Sequence, residues 1–313
     1  MDEKKIIPAP KRLKQSNPIV RMLALLLTAA LILLAMVLVI YRDTINVDTF
    51  KRWLTYRNME TGESGESAPF SHAGGDKLSI AYLDSGLVTA SAAGAHYYGL
   101  DGEQLAEEVR SLENPVLTAS RTTAVAYDAG NQTLSAFRSG EKYFQLTLEG
   151  NADLLSARPN EGGWLAVTAQ QSGYKGAVTV YDRKGEEIIQ ISLSSVFVVD
   201  AAVSPDGQTV AVVTIGQAGG SFFSRLLLYR VNQKEPFAQV DLGSITVLDM
   251  DFDEGVVWLV GEDRLVTVSL LPDGETVQTY YFSPNYLKGC SLTGDGFAFL
   301  LVGRYRSGGA TQA

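Results

Sequence analysis

From Lys77 onward the apolar positions fall in runs of four to eight residues, rich in Val, Leu, Tyr and Thr, and separated by Gly, Asp, Pro and Asn. Runs of that length with that punctuation predict strands and no helical period. "VSPDGQTVAVVT", Val203 to Thr214, shows the chemistry of one corner. Ser204, Pro205, Asp206 and Gly207 fit a tight turn: Pro presets φ, Asp tolerates the third position and Gly takes a positive φ. The following "TVAVVT" is apolar on both faces of the pleat. It is therefore expected to be covered on both sides, since a half-exposed strand would alternate.

The corner recurs. Counterparts of its turn stand in "LDSGLVTAS", "RPNEGGWLAVTA", "DFDEGVVWLV" and "TGDGFAFLLV"; only "SRTTAVAYD" lacks the Gly. A second turn follows each in fixed order, at Gly102, Gly140, Gly185, the Gly-less "NQKEP" around Lys234, and Gly274. The successive steps are 38, 45, 49 and 40 residues. Each unit thus reads as strand a, Gly turn, apolar strand b, loop, strand c, second turn, strand d. Four strands in about 40–45 residues is the spacing of propeller blades. A β-sandwich or a pair of β domains is the competing architecture; two different turns recurring in order favour the propeller. Five units run from about Leu78 to Phe282. A sixth begins at "PNYLKGCSLTGDGFAFLLVGRYRSGG" and carries strands a and b only. Truncation of the sequence at its C-terminus is the favoured explanation, ahead of completion by another segment or an open arc.

The N-terminal part has a different pattern. Met22 to Tyr41, "MLALLLTAALILLAMVLVIY", has no charge, Pro or Gly. A helix of twenty residues spans about 30 Å, the bilayer core. The alternative, a cleaved signal peptide, requires a shorter apolar region and a small-x-small site, which "VLVIYRDT" lacks. Six Lys/Arg precede the span; Arg42, Lys51, Arg52 and Arg57 follow it. That bias places the N-terminus in the cytoplasm and the body outside it. The expected organisation is a basic tail (1–21), a transmembrane helix (22–41), a juxtamembrane amphipathic helix (42–58), a Gly/Ser/Glu-rich linker (59–76) and an extracytoplasmic propeller (77–313). The 42–58 helix, with Trp53 and Tyr56, suits either the headgroup interface or packing against the domain.

Charge sharpens this division. The net charge is −9, yet residues 1–42 carry seven Lys/Arg against Asp2 and Glu3. The remainder is therefore strongly acidic, which excludes a nucleic-acid footprint on the folded body and fits a basic tip at anionic lipid. The expected partners are the lipid bilayer, through 22–41, and an envelope protein or peptide.

The order of basic tail, single span, "FKRWLTYRN", linker ending "APFSHAGGD", and units with "SPDG" and "VYDRKGEEI" resembles an uncharacterised domain-of-unknown-function family. Its members are single-pass, membrane-anchored, WD40-like or quinoprotein-like propeller proteins of Gram-positive bacteria. The resemblance covers nearly all of the chain. It implies further blades beyond this sequence and carries no activity, so no functional residue transfers.

Candidate chemistry is sparse. His72 lies in the linker and His96 at the start of a c strand, with no Glu or Cys at ligand spacing, so no metal is expected. Cys290 is the single cysteine, expected to be a small buried apolar residue. Asp249, Asp251 and Asp253 have the opening spacing of a calcium loop. However, Gly255 falls one place late and Val260 stands where a bidentate Glu is needed. On a strand these Asp share one face, opposite Met250 and Phe252, and either meet solvent or line the central channel. No phosphate cradle or nucleophile elbow occurs, and the docking pattern of a quinone cofactor is missing. No cofactor and no catalysis are expected, with an envelope enzyme of quinoprotein-like or glycan/peptide-processing type as the alternative. Carboxylates, His or Arg converging on the channel mouth would favour that alternative. Binding is the default, because propellers bind through loops. The b–c loop "TIGQAGGSFFSR" offers Phe222, Phe223 and Arg225, and "AQQSGYKGA" offers Tyr174 beside Lys175, all residue types that anchor interfaces.

Overall fold

A computed structural model describes Met22, residues 25–28, His72, and residues 77–150, 152–253, 255–270, 276–293, 296–307 and 311–312. The chain divides into two compact units, Met1–Met59 and Glu60–Ala313. In the first unit, Met22 and residues 25–28 are helical and exposed. The rest of the expected span, the 42–58 helix and the 59–76 linker apart from His72 lie outside the described residues. Among the described residues, no helix is long and apolar enough to cross a membrane.

The described elements of the second unit are all β-strands. The first sheet orders β1 (Ser79–Leu83), β2 (Gly86–Ser91), β3 (Gly94–Tyr98) and β4 (Gln104–Glu108). The second orders β5 (Pro115–Ala119), β6 (Thr123–Asp128), β7 (Thr133–Arg138) and β8 (Glu141–Thr147). The third holds β9 (Leu154–Pro159), β10 (Leu165–Ala169), β11 (Gly176–Tyr181) and β12 (Glu187–Leu193). The fourth holds β13 (Phe197–Val203), β14 (Thr209–Ala218), β15 (Ser221–Arg230) and β16 (Pro236–Gly243). The fifth holds β17 (Val247–Asp253), β18 (Val256–Gly261), β19 (Arg264–Ser269) and β20 (Thr276–Tyr281). Each sheet is an antiparallel meander in chain order.

The sixth sheet corrects the sequence expectation. It has three strands, β21 (Tyr286–Ser291), β22 (Phe299–Gly303) and the short β23 (Thr311–Gln312), where only two were expected. The third strand pairs through Val302↔Gln312 and Gly303↔Thr311 alone. "YRSGGATQA" carries too little apolar pattern to announce it.

The core is divided among the sheets. Among the described residues five apolar clusters occur, and each is built from two consecutive sheets. Tyr97 and Phe137 meet between the first and second, and Leu134 and Leu165 between the second and third. Val178 and Tyr229 meet between the third and fourth, Leu228 and Leu259 between the fourth and fifth, and Val260 and Leu300 between the fifth and sixth. A middle strand is thereby covered on both faces, which is why Thr209–Thr214 of β14 is buried at every position and reads as unbroken apolar sequence.

The opening corner forms as its residues require. Gly207 N–H donates to Ser204 O at 2.8 Å, and Gln208 N–H to Asp206 Oδ1 at 3.0 Å. Ser204 Oγ accepts from Thr209 N–H at 3.0 Å. Gly207 has φ +71° and faces Trp164, whose ring would lie 2.3 Å from an added Cβ. Both the backbone angle and the neighbouring blade's indole require glycine there.

Candidate functional site

Because each sheet is a meander, the turns after strands a and c lie at one end of the strands and the b–c turn lies at the other. The first strands of neighbouring sheets, β5, β9, β13 and β17, face one another across a central channel. Thr118 Oγ1 on β5 donates to Ala157 O on β9 at 2.5 Å. Ser156 Oγ on β9 donates to Asp200 Oδ1 on β13.

Arg158 is the centre of this channel. Its Nε donates to Asp200 Oδ2 at 2.6 Å, its Nη2 meets Asp249 Oδ1 at 2.6 Å, and its Nη1 donates to Met250 O at 3.2 Å. One guanidinium on β9 thus braces β13 and β17. Burial alone would push its pKa down, but the two carboxylates outweigh that and hold it above the ordinary arginine value. Asp251, two residues beyond Asp249 on the same face, is treated differently. Its Oδ1 accepts the backbone N–H of Phe252 at 2.8 Å, and burial, the largest influence, raises its carboxyl to about 6. Met250 and Phe252 are buried on the other face, as the alternation predicts. Asp249 and Asp251 therefore line the channel; the side chain of Asp253 lies outside the described residues.

A local device aims these side chains. In β9, β13, β17 and β21 the pairing with the second strand slips by one residue, at Leu155, Val199, Leu248 and Lys288. Such bulges bend a strand and re-aim the residue next along it. That residue is Ser156 in β9, Asp200 in β13, Asp249 in β17 and Gly289 in β21; β1 and β5 have no such slip. Sequence reasoning found Asp249 and Asp251 through their spacing but missed Arg158 and Asp200, which no local pattern marks.

The channel opens at the a–b end into a cavity of about 460 Å³, lined among others by Tyr82, Arg121, Asn160, Glu161, Asp251 and Thr293. A second cavity of about 280 Å³ adjoins it and reaches Arg158 and Asp249. Arg121 at the mouth forms loose contacts to Asp84 (3.7 Å) and Glu161 (3.6 Å). Among the described residues, no group of three or more His, Cys, Asp or Glu is arranged to hold a metal.

The other reactive groups are quiet. Burial, and secondarily Asp249, raises the Cys290 thiol, whose Sγ lies 3.9 Å from Asp249 Oδ2, which disfavours the thiolate. Tyr127 is pushed up to about 12, by burial first and Asp200 second. His96 is buried on β3, stacked on Tyr98 at 6.2 Å between ring centroids.

The expected binding residues sit at the opposite, b–c end, and the structure corrects one of their elements. Thr214 to Arg225 is not a loop. β14 and β15 stay in register to Ala218↔Ser221, and only Gly219 (φ +58°) and Gly220 (φ +84°) form the turn. Two successive positive φ values make the tight hairpin turn whose twist matches the strands. Phe222 is exposed (40%), whereas Phe223 is half-buried, its ring against Gly216. Arg225 lies over the Phe223 ring at 4.2 Å. Tyr174 is exposed in the β10–β11 turn of the neighbouring sheet. The structure adds Phe197, the first residue of β13, which is 54% exposed with Lys175 Nζ 4.8 Å from its ring centroid. Tyr174, Phe197 and Phe222 therefore share one end of two adjacent sheets; Phe223 and Arg225 fold down onto the hairpin.

Solved structures with the same fold are numerous. The β-propeller domain of Cps50 (Swd1) from Myceliophteria thermophila matches with TM-score 0.53 and 12% identity, over 74% of this chain and 80% of that one. Hydrazine synthase from Kuenenia stuttgartiensis matches with TM-score 0.52 and 13% identity, over 74% and 76%. A computationally designed protein, Ika8, matches with TM-score 0.54 and 13% identity, over 76% and 71%. At such identities the likeness establishes the β-propeller fold and nothing about chemistry. Among curated proteins no match is found. A family model covers residues 55–282, all five four-stranded sheets included, and the chain thus belongs to the family of unknown function DUF5711.

Proposed function

We propose that this chain is a single-pass membrane protein, with its N-terminus in the cytoplasm, the span at 22–41, and five full blades and one partial blade outside. The propeller serves there as a partner-recognition or scaffolding module at the cell envelope. The observation that carries the reading is the aromatic end of the third and fourth sheets. Tyr174, Phe197 and Phe222 are exposed on a frame fixed by a two-residue turn and ten-residue strands. Rigid aromatics of this kind anchor interfaces at low entropic cost. The acidic composition of the body argues against nucleic acid as the partner.

The alternative, an envelope enzyme, is favoured by one observation, the convergence of Arg158 with Asp200, Asp249 and Asp251. Two of those carboxylates are held by Arg158, which leaves Asp251, raised to about 6, as the acid–base candidate of the set. Affinity capture with the full chain in detergent, set beside Phe222→Ala, decides between the readings. Recognition predicts a specific envelope component retained by the wild type and lost by the variant. A turnover abolished by Asp251→Asn and untouched by Phe222→Ala would replace recognition with catalysis.

A further inference from the structure

The channel mouth is a second place of interest, at the opposite end of the strands from the aromatic set. Asp251 lines both cavities, and its carboxylate accepts from the backbone N–H of Phe252. An ionised carboxylate offers about four lone-pair directions, so it can accept further donors beside that one. Arg158 directs its contacts elsewhere, through Nε, Nη1 and Nη2 to Asp200, Met250 O and Asp249. The charged groups that line the two cavities with Asp251 are Arg158 from β9, Glu161 from the β9–β10 turn, Asp249 from its own strand and Arg121 at the mouth; outside the lining, Asp200 pairs with Arg158 and Asp84 lies near Arg121. Counting Asp251, three lining carboxylates stand against two guanidinium groups. Such a mouth repels anions and concentrates cations. Part of the wall is apolar, through Ala81, Ala119 and Pro159, beside the polar Ser120, Asn160 and Thr293; that part suits a methylene stem behind a charged head. At about 460 Å³ the cavity is of small-ligand size.

We infer that the channel mouth binds a primary alkylammonium group, with the carboxylate of Asp251 as its counter-ion and the apolar wall along its methylenes. The bound group is the end of a free amine or of a lysine side chain. Neither source requires the aromatic end, so this site stands or falls separately from the recognition reading.

The test is calorimetric titration of the full chain in detergent with three probes of one shape, n-butylamine, n-butanol and butyrate. Binding of the amine alone is expected at about pH 7.5, where both Asp251 and the ammonium are ionised. Asp251→Asn should weaken it by about tenfold or more, and Phe222→Ala should leave it unchanged. Lowering the pH to about 5, below the value of about 6 for Asp251, should weaken it as the carboxylate protonates. A blocked lysine amide separates the sources: tighter binding than n-butylamine assigns the site to a lysine side chain, and equal or weaker binding to a free amine. Butyrate or butanol binding as well as the amine, no amine binding by the wild type, or unchanged binding by a folded Asp251→Asn would each overturn the assignment. The three-probe comparison needs only the wild type, so it holds even if the variant misfolds.

Discussion

At the residue scale, two charged groups of one channel contribute to stability with opposite signs. Arg158 satisfies two carboxylates and a carbonyl from two other sheets. Truncating it leaves Asp200 and Asp249 facing each other without a counter-charge, and breaking such a partly buried set costs about 3 kcal/mol. Arg158→Ala should lower the denaturant midpoint accordingly. Asp251 acts the other way. Its folded carboxyl is raised from 3.8 to about 6, so the folded state holds the proton more tightly than the unfolded chain. The resulting stabilisation is fully present below pH about 4 and is lost as pH rises through about 6. Asp251→Asn removes that loss. It should therefore match the wild type in acid and exceed it by about 3 kcal/mol well above pH about 6, as denaturant melts across that range would show. A carboxylate kept in place at such a cost is consistent with a ligand role. The sequence disclosed Asp249 and Asp251 through their alternation with Met250 and Phe252. It hid Arg158 and Asp200, because their meeting depends on the stacking of sheets more than forty residues apart.

At the element scale, the repeating corner was readable because backbone geometry demands particular residues. Gly207 has a positive φ against an indole, and the strand after it is covered on both faces. The β14–β15 hairpin was misread for an equally physical reason. "GQAGGSFFS" has the composition of a loop, yet only Gly219 and Gly220 leave the extended region, and the flanking Gly216 is where the Phe223 ring lies. Gly220→Val, placed at φ +84°, should destabilise the hairpin by about 1–2 kcal/mol. Phe222→Ala, at an exposed position, should stay within about 0.5 kcal/mol of wild type. Thermal melts of the two variants check the contrast. The bulges before Ser156, Asp200, Asp249 and Gly289 have no signature in the sequence, since a one-residue slip of pairing changes no composition.

At the scale of the whole molecule, the repeat set the fold. Among the described residues the core is divided into five apolar interfaces between successive sheets, and each was announced by an apolar b strand. The short third strand of the sixth sheet was not, because two paired residues leave no pattern. The division into a basic, apolar tip and an acidic body supports an envelope location for the propeller. Protease added to intact cells should degrade the propeller and spare the tip; complete protection would contradict that topology. The central claim, recognition through the aromatic end, is tested most directly by a photo-crosslinking side chain placed at position 222 of the full chain in intact cells. Recognition predicts a discrete adduct with one envelope component, absent when the probe sits at an exposed position of the a–b end away from the cavity, such as Lys184. No adduct at 222, or the same adducts from both ends, would contradict it.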